Sequence, residues 1–280
     1  MLGALIIVFR EVFEAGLIVG IVLAVTRGIA GRDRWIGLGI AGGVVGACIV
    51  AAFAGALSQL FEGVGQELFN ATILGIAVIM LTWHNVWMGR HGGELAAEAR
   101  AVGQSVADGS RSLLALAVVV GVAVMREGSE VALFLYGIVA AGGGSGASIA
   151  IGGVIGLVLG ALVCLLTYLG LVRIPAKPLF RVTTVLIALL AAGMAAQATA
   201  FLAQANWVTA LGDVVWDTSW LVSDSSMVGK ALHTLIGYTD QPTGMQLIVY
   251  VATLAITFVA IRLASAPGSR GSKPRPAPAE

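Results

Sequence analysis

The sequence predicts an all-α polytopic membrane protein: seven transmembrane helices, arranged as two inverted three-helix repeats plus a seventh helix. Three observations predict it. The composition is 58% apolar and only 11% charged, seven apolar runs are long enough to cross a bilayer, and one charged motif occurs in each half. Soluble domains carry about 25% charged residues, so a soluble globular protein is excluded. The 16 Lys+Arg nearly cancel the 15 Asp+Glu, for a net charge of +1, which leaves no basic surplus for nucleic acid. The 38 glycines against 7 prolines suit helices packed closely in lipid, where small residues let backbones approach. Two cysteines form neither a disulfide framework nor a zinc-finger spacing.

A membrane-crossing helix needs about 20 mostly apolar residues. Such runs fall at 2–26, 35–57, 68–88, 112–140, 147–172, 179–204 and 245–263. The first is not a cleavable leader, because it has no basic start and holds Arg10, Glu11 and Glu14 inside the apolar stretch. Residues 1–263 therefore read as one seven-span domain, with repeat one at about 2–88 and repeat two at about 112–204. An outer loop follows at 206–244. The end, 264–280, is rich in Pro, Ser and charge and reads as a disordered cytoplasmic tail.

Orientation follows from the cations. Arg27, Arg32 and Arg34 follow span one; Arg90, Arg100 and Arg111 follow span three; Arg173, Lys177 and Arg181 follow span five; and Arg262, Arg270, Lys273 and Arg275 close the chain. Lys230 alone lies on the other side. The positive-inside rule then places the C-terminus in the cytoplasm and, with seven spans, the N-terminus outside.

Span one contains Arg10-Glu11-Val12-Phe13-Glu14 and span four contains Arg126-Glu127-Gly128-Ser129-Glu130. Both fit R-E-x-x-E, offset by 116 residues. Three spans separate the copies, so the two motif helices cross in opposite directions, as inverted repeats do in secondary transporters with a midplane site. Each buried charge costs about 2.5–3.5 kcal/mol at mid-membrane, so these side chains must face the protein interior or a water-filled path. The i,i+3 and i,i+4 spacings put each Arg and its two Glu on one helix face.

Each motif is formally −1. Four carboxylates in low dielectric repel one another and are relieved by protons or by a hard cation held on oxygen ligands. Glu11, Glu14, Glu127 and Glu130 are thus candidate metal ligands, with Arg10 and Arg126 tuning the site. Two alternatives explain the same residues: Arg–Glu pairs that only hold helices together, or a proton relay in a proton-coupled carrier of another ion.

With these two motifs in a seven-span chain, the sequence resembles the oxidase-dependent iron permease family, which includes fungal high-affinity iron permeases and bacterial EfeU-type permeases. The resemblance covers nearly the whole chain to about Arg262. It extends to Trp216, Leu232-His233, Gly237-Tyr238 and Pro242-Thr243-Gly244-Met245-Gln246, which read like the bacterial branch. Family copies often read R-E-G-L-E, whereas here they read REVFE and REGSE. The resemblance implies iron as the transported substrate, the motif glutamates as its ligands, and a separate extracytoplasmic protein that oxidises or delivers iron. It implies a bacterial inner-membrane location, no organic cofactor and no enzymatic activity. Partners are then iron, that delivering protein and membrane lipid, with an oligomer allowed and nucleic acid not expected.

Several other residues carry weaker signals. In the outer loop, Asp213 and Asp217 stand i,i+4, as do Trp216 and Trp220, which predicts a short amphipathic helix at the interface. With Asp224, and with Glu62 and Glu67 in the first outer loop, these acids are candidates for an ion entrance or partner docking surface. The alternative is solvated acids beside an aromatic belt. His84, between Trp83 and Trp87, is expected near the cytoplasmic end of span three, as a candidate exit ligand or an interfacial polar residue. Gln197 and Gln204 line the path or bond between helices. Stripes Gly152-Gly156-Gly160, Gly16-Gly20 and Gly42-Gly46 allow close packing within the bundle or between subunits. Cys48 and Cys164, also 116 apart, suggest a rival transmembrane thiol redox carrier. Their apolar neighbours raise a thiol pKa and favour a plain packing role. No G-x-x-x-x-G-K-[ST] loop is present, which argues against ATP-driven pumping by this chain.

Overall fold

The computed structural model describes residues 1–59, 66–141, 145–170 and 176–265. Among these residues the regular elements are eight helices: α1 (Leu2–Val25), α2 (Arg32–Gln59), α3 (Gln66–Ala107), α4 (Leu114–Ala140), α5 (Gly146–Tyr168), α6 (Ala176–Gln204), α7 (Met227–Ile236) and α8 (Gly244–Ser265). All but α7 coincide with the apolar runs. Stretches of α2, α3, α5, α6 and α8 are long and apolar enough to cross a membrane. Helices α1 and α4 are as long but carry three charged residues each, Arg10-Glu11-Glu14 and Arg126-Glu127-Glu130. Large apolar side chains such as Ile49, Phe53, Val154 and Phe258 lie exposed around the bundle, as suits a surface solvated by lipid.

Helix α3 differs from expectation. The segment predicted as a loop from residue 89 continues as helix to Ala107, so Arg100 sits on a helix. Its Ala-, Glu-, Gln- and Arg-rich stretch favours helix, and it ends where Gly109 adopts φ +73°. The extension is anchored by Ala99 and Val106, which are buried against Val22, Ile36, Leu116 and Val120.

Helix α1 packs chiefly on α5, α2 on α4, and α3 on α6, with α8 against α6 and α3. Glycine makes the first two contacts close. A Cβ on Gly156 would stand 2.5 Å from the Leu5 carbonyl oxygen of α1, and one on Gly160 would stand 3.0 Å from that of Phe9. The α5 stripe therefore works inside the bundle. On α2 the backbone contacts are at Gly39 and Gly43, 2.6 and 2.7 Å from the carbonyl oxygens of Ala117 and Gly121 by the same measure; of the other two stripes, Gly46 meets Met125 and Gly16 meets Cys164, whereas Gly42 and Gly20 face open space. Overpacking against side chains costs about 1–3 kcal/mol, and backbone cannot yield as a side chain does. Gly156→Leu is accordingly expected to abolish the folded monodisperse protein, read by size-exclusion chromatography in detergent, while Gly42→Leu elutes as wild type.

The outer segment also corrects the sequence reading. Residues 213–220 form no helix, because their backbone pairs with 240–243 instead. Val215 N–H donates to Pro242 O (3.0 Å) and Thr218 N–H to Asp240 O (2.9 Å), and Val214 bridges Thr243. Asp217 accepts from the Ser219 N–H at 2.9 Å, a local turn that competes with helix. The helix of this segment is α7, capped by Ser226 and ended by Gly237 at φ +69°.

Candidate metal centre

Both motif faces turn inward. Arg10, Glu11, Glu14 and Glu127 are buried, and Glu130 is nearly so. Within each motif the Arg pairs with the second Glu: Arg10 Nε lies 2.7 Å from Glu14 Oε1, and Arg126 Nε lies 3.3 Å from Glu130 Oε1. The i,i+4 register makes both pairs local consequences of the helix. Oxygens of all four glutamates are left over: both of Glu11, and Oε2 of Glu14, Glu127 and Glu130, are buried without a hydrogen-bond partner. Buried polar atoms are nearly always satisfied, so these oxygens point to a charge partner such as a cation.

Helix α3 supplies what the motifs lack. His84 is buried in the middle of the carboxylates. Its Nε2 lies 3.7 Å from Glu11 Oε2 and 3.8 Å from Glu14 Oε2, and its Nδ1 contacts Glu130 Oε2. One ligand atom each from Glu11, His84, Glu127 and Glu130 lie within 4.8 Å of one another. Asn85 accepts from Arg10 Nη1 at 3.0 Å, and the Trp87 ring carries the Arg126 guanidinium 4.0 Å above its centroid. Three positions of α3 thus fix one ligand and both arginines. Phe134 stands edge-on to the His84 ring at 6.1 Å.

The structure places His84 among the four glutamates, in a helix that continues past it to Ala107. Asn85 is absent from the sequence reading, and Trp87 enters it only as an aromatic neighbour of His84. The available signal was a His-Asn pair inside an apolar span, where polar and ionisable residues are costly unless functional.

The remaining candidates lie elsewhere. Glu67 is exposed at the start of α3, Asp213 and Asp217 are exposed on the outer segment, and Asp224 is half-buried there. Hydrogen bonds from Ser219 hold Asp217 below the ordinary carboxylate range, whereas burial and then the Asp240 carboxylate push Asp224 up. Among the described residues Asp224 forms no ion pair within 4 Å, and His233 offsets only part of that push, so an arriving cation would lower the cost of its charge. Glu62 lies outside the described residues. Gln197 lines a small cavity with His233, and Gln204 is exposed. Cys48 is exposed and Cys164 half-buried, both as free thiols. They line a cavity of about 810 Å³ between α1, α2, α4 and α5, together with Glu11 and Glu127.

A sequence profile of the iron permease FTR1 family matches residues 1–266. The chain is 31% identical over 249 residues to a protein of Yersinia pestis named ferrous iron permease EfeU, covering 88% of this chain and 87% of that protein. It is 29% identical over 273 residues to the protein of that name from Escherichia coli O6:H1, covering 96% and 98%. No solved structure gives a significant match.

Proposed function

The chain belongs to the iron permease FTR1 family, and from that premise we propose that it imports ferrous iron through a midplane site formed by its two R-E-x-x-E motifs and His84. Family membership makes it a transporter, and the apolar helices with bacterial EfeU relatives make it a multi-pass inner-membrane protein. The observation that carries the site is the set of unpartnered oxygens on the four motif glutamates around His84.

Four glutamates against two arginines leave a formal −2 with His84 neutral, which one divalent cation balances. Carboxylate oxygens with an imidazole nitrogen suit Fe(II). Arg10 and Arg126 each hold the second Glu of their motif, so the carboxylates are shaped before the ion arrives. Glu11 and Glu127 remain available to bind it.

The packing supports inverted repeats. Exchanging spans one to three with four to six turns the α1–α5 contact into the α4–α2 contact and maps α3–α6 onto itself. The seven long helices then all span the membrane, N-terminus outside and C-terminus in the cytoplasm. The acids of the outer segment and Glu67 face the side where an extracytoplasmic protein would oxidise or deliver iron.

Equilibrium binding of Fe(II) to the purified chain under anaerobic conditions tests the site. One ion per chain is expected, lost in Glu11→Gln/Glu127→Gln. Unchanged stoichiometry in that variant would exclude the cluster. For the thiols, Cys48→Ala/Cys164→Ala is expected to transport iron like wild type in vesicle uptake; loss of uptake with folded protein would restore a redox role.

A further inference from the structure

We propose that the cavity between α1, α3 and α4 is the path by which iron leaves the buried cluster, passing Arg126 first and Glu98 at its far end. This rests on the function proposed above. The cavity measures about 620 Å³ and reaches from Arg126 and Glu127, the cluster residues on its wall, past Ala123 and Val119 to Glu98 and Arg111. Those last two lie at the end of the bundle where the arginine-rich connections gather.

The two motifs are not equally enclosed. The Arg126 side chain is 31% exposed, against 3% for Arg10. Trp87 holds the Arg126 guanidinium to one side by stacking, which keeps a like charge against the wall rather than across the passage. Arg10 is instead locked by both Glu14 and Asn85.

The repeat shows why the symmetry-related position, between α4, α6 and α1, is filled instead. With the 116-residue offset, Ala123 and Ile18 on the cavity wall correspond to Ile7 and Phe134 on the opposite side of the cluster. Ile7 and Phe134 are buried, and they pack with Ile138, Leu190 and Met194 into an apolar plug. A small residue and an aliphatic one line the open side; larger groups fill its counterpart.

Chemistry also selects this cavity over the larger one beside it. Among the described residues the 810 Å³ cavity has no charged group on its wall beyond Glu11 and Glu127, and its other polar groups are two thiols and two tyrosines, so an ion moving along it would find few ligands to replace its hydration. The α1–α3–α4 cavity, whose wall also carries Arg126 and Arg111, adds a carboxylate, Glu98, and the Ser112 hydroxyl.

The test uses the full chain in the Cys48→Ala/Cys164→Ala background. Single cysteines at Val119, Ala123 and Ile138 are probed with a charged, membrane-impermeant thiol reagent, and Asp108→Cys marks the face. Labelling of Val119→Cys and Ala123→Cys from the Asp108 face only, with Ile138→Cys protected, is the expected result. Labelling from the opposite face, or none, would overturn the path. Ala123→Trp, which fills the passage, is expected to block vesicle uptake while Fe(II) still binds one per chain; normal uptake would overturn it. Glu98→Gln is expected to lower the maximal uptake rate with binding unchanged, and a wild-type rate would remove Glu98 from the path. Failure of the wild-type chain to bind Fe(II) at all would instead refute the site.

Discussion

His84→Phe is expected to lower iron uptake by about 10–100-fold, the range for loss of a group that ligates or orients at a metal site. The ring nitrogens of His84 are the only non-carboxylate donors within the four-residue cluster, and they reach carboxylates from both motif helices. Phe keeps the ring volume against Phe134, so the loss of nitrogen is separated from the loss of packing. His84→Ala removes both and should be at least as severe. The measurement is initial rate of uptake into vesicles, normalised to folded protein. A His84→Phe rate near wild type would show that the imidazole is a bystander.

The second large effect concerns folding. Arg10→Met should destabilise the protein by about 3–5 kcal/mol, the cost of leaving one partner of a buried ion pair uncompensated. Arg10 is 2% exposed, bonded to Glu14 and Asn85. Removing it strands the Glu14 carboxylate and the Asn85 oxygen together. Arg126→Met should cost less, because that side chain is 31% exposed and Glu130 keeps its contact with His84. Thermal unfolding in detergent measures both. Equal, small shifts would mean that the Arg10 network is not tightly buried. The double variant Arg10→Met/Glu14→Gln should recover part of the loss, since it no longer buries an unpaired charge.

The helices were legible because lipid leaves the chain few options: a spanning segment must satisfy its backbone internally and present apolar side chains. The motifs were legible for the opposite reason, since Arg10, Glu11, Glu14 and their counterparts are expensive where the pattern places them. What the pattern could not supply was partnership across distance. Asn85 is 75 residues from Arg10, and nothing local marks the pairing. The apolar pattern puts the end of the third helix at residue 88, and the helix ends at Ala107. The i,i+4 pairs of the outer segment suggested a helix, but the deciding hydrogen bonds come from 240–243. Glycine spacing gave the period of close packing on α2. The contacting face, Gly39-Gly43 rather than Gly42, depended on where α4 lies.

The central claim is that the two motifs form one iron path. Uptake of radioactive iron into proteoliposomes containing the purified chain tests it most directly, with Fe(II) and Fe(III) supplied separately. Wild type is compared with single alanine variants at Glu11, Glu14, Glu127 and Glu130. Saturable Fe(II) uptake, lost in each variant while the protein remains folded, is the predicted result. Fe(II) uptake that survives replacement of Glu11 and Glu127 would contradict the account, because those are the two cluster glutamates that no arginine hydrogen-bonds.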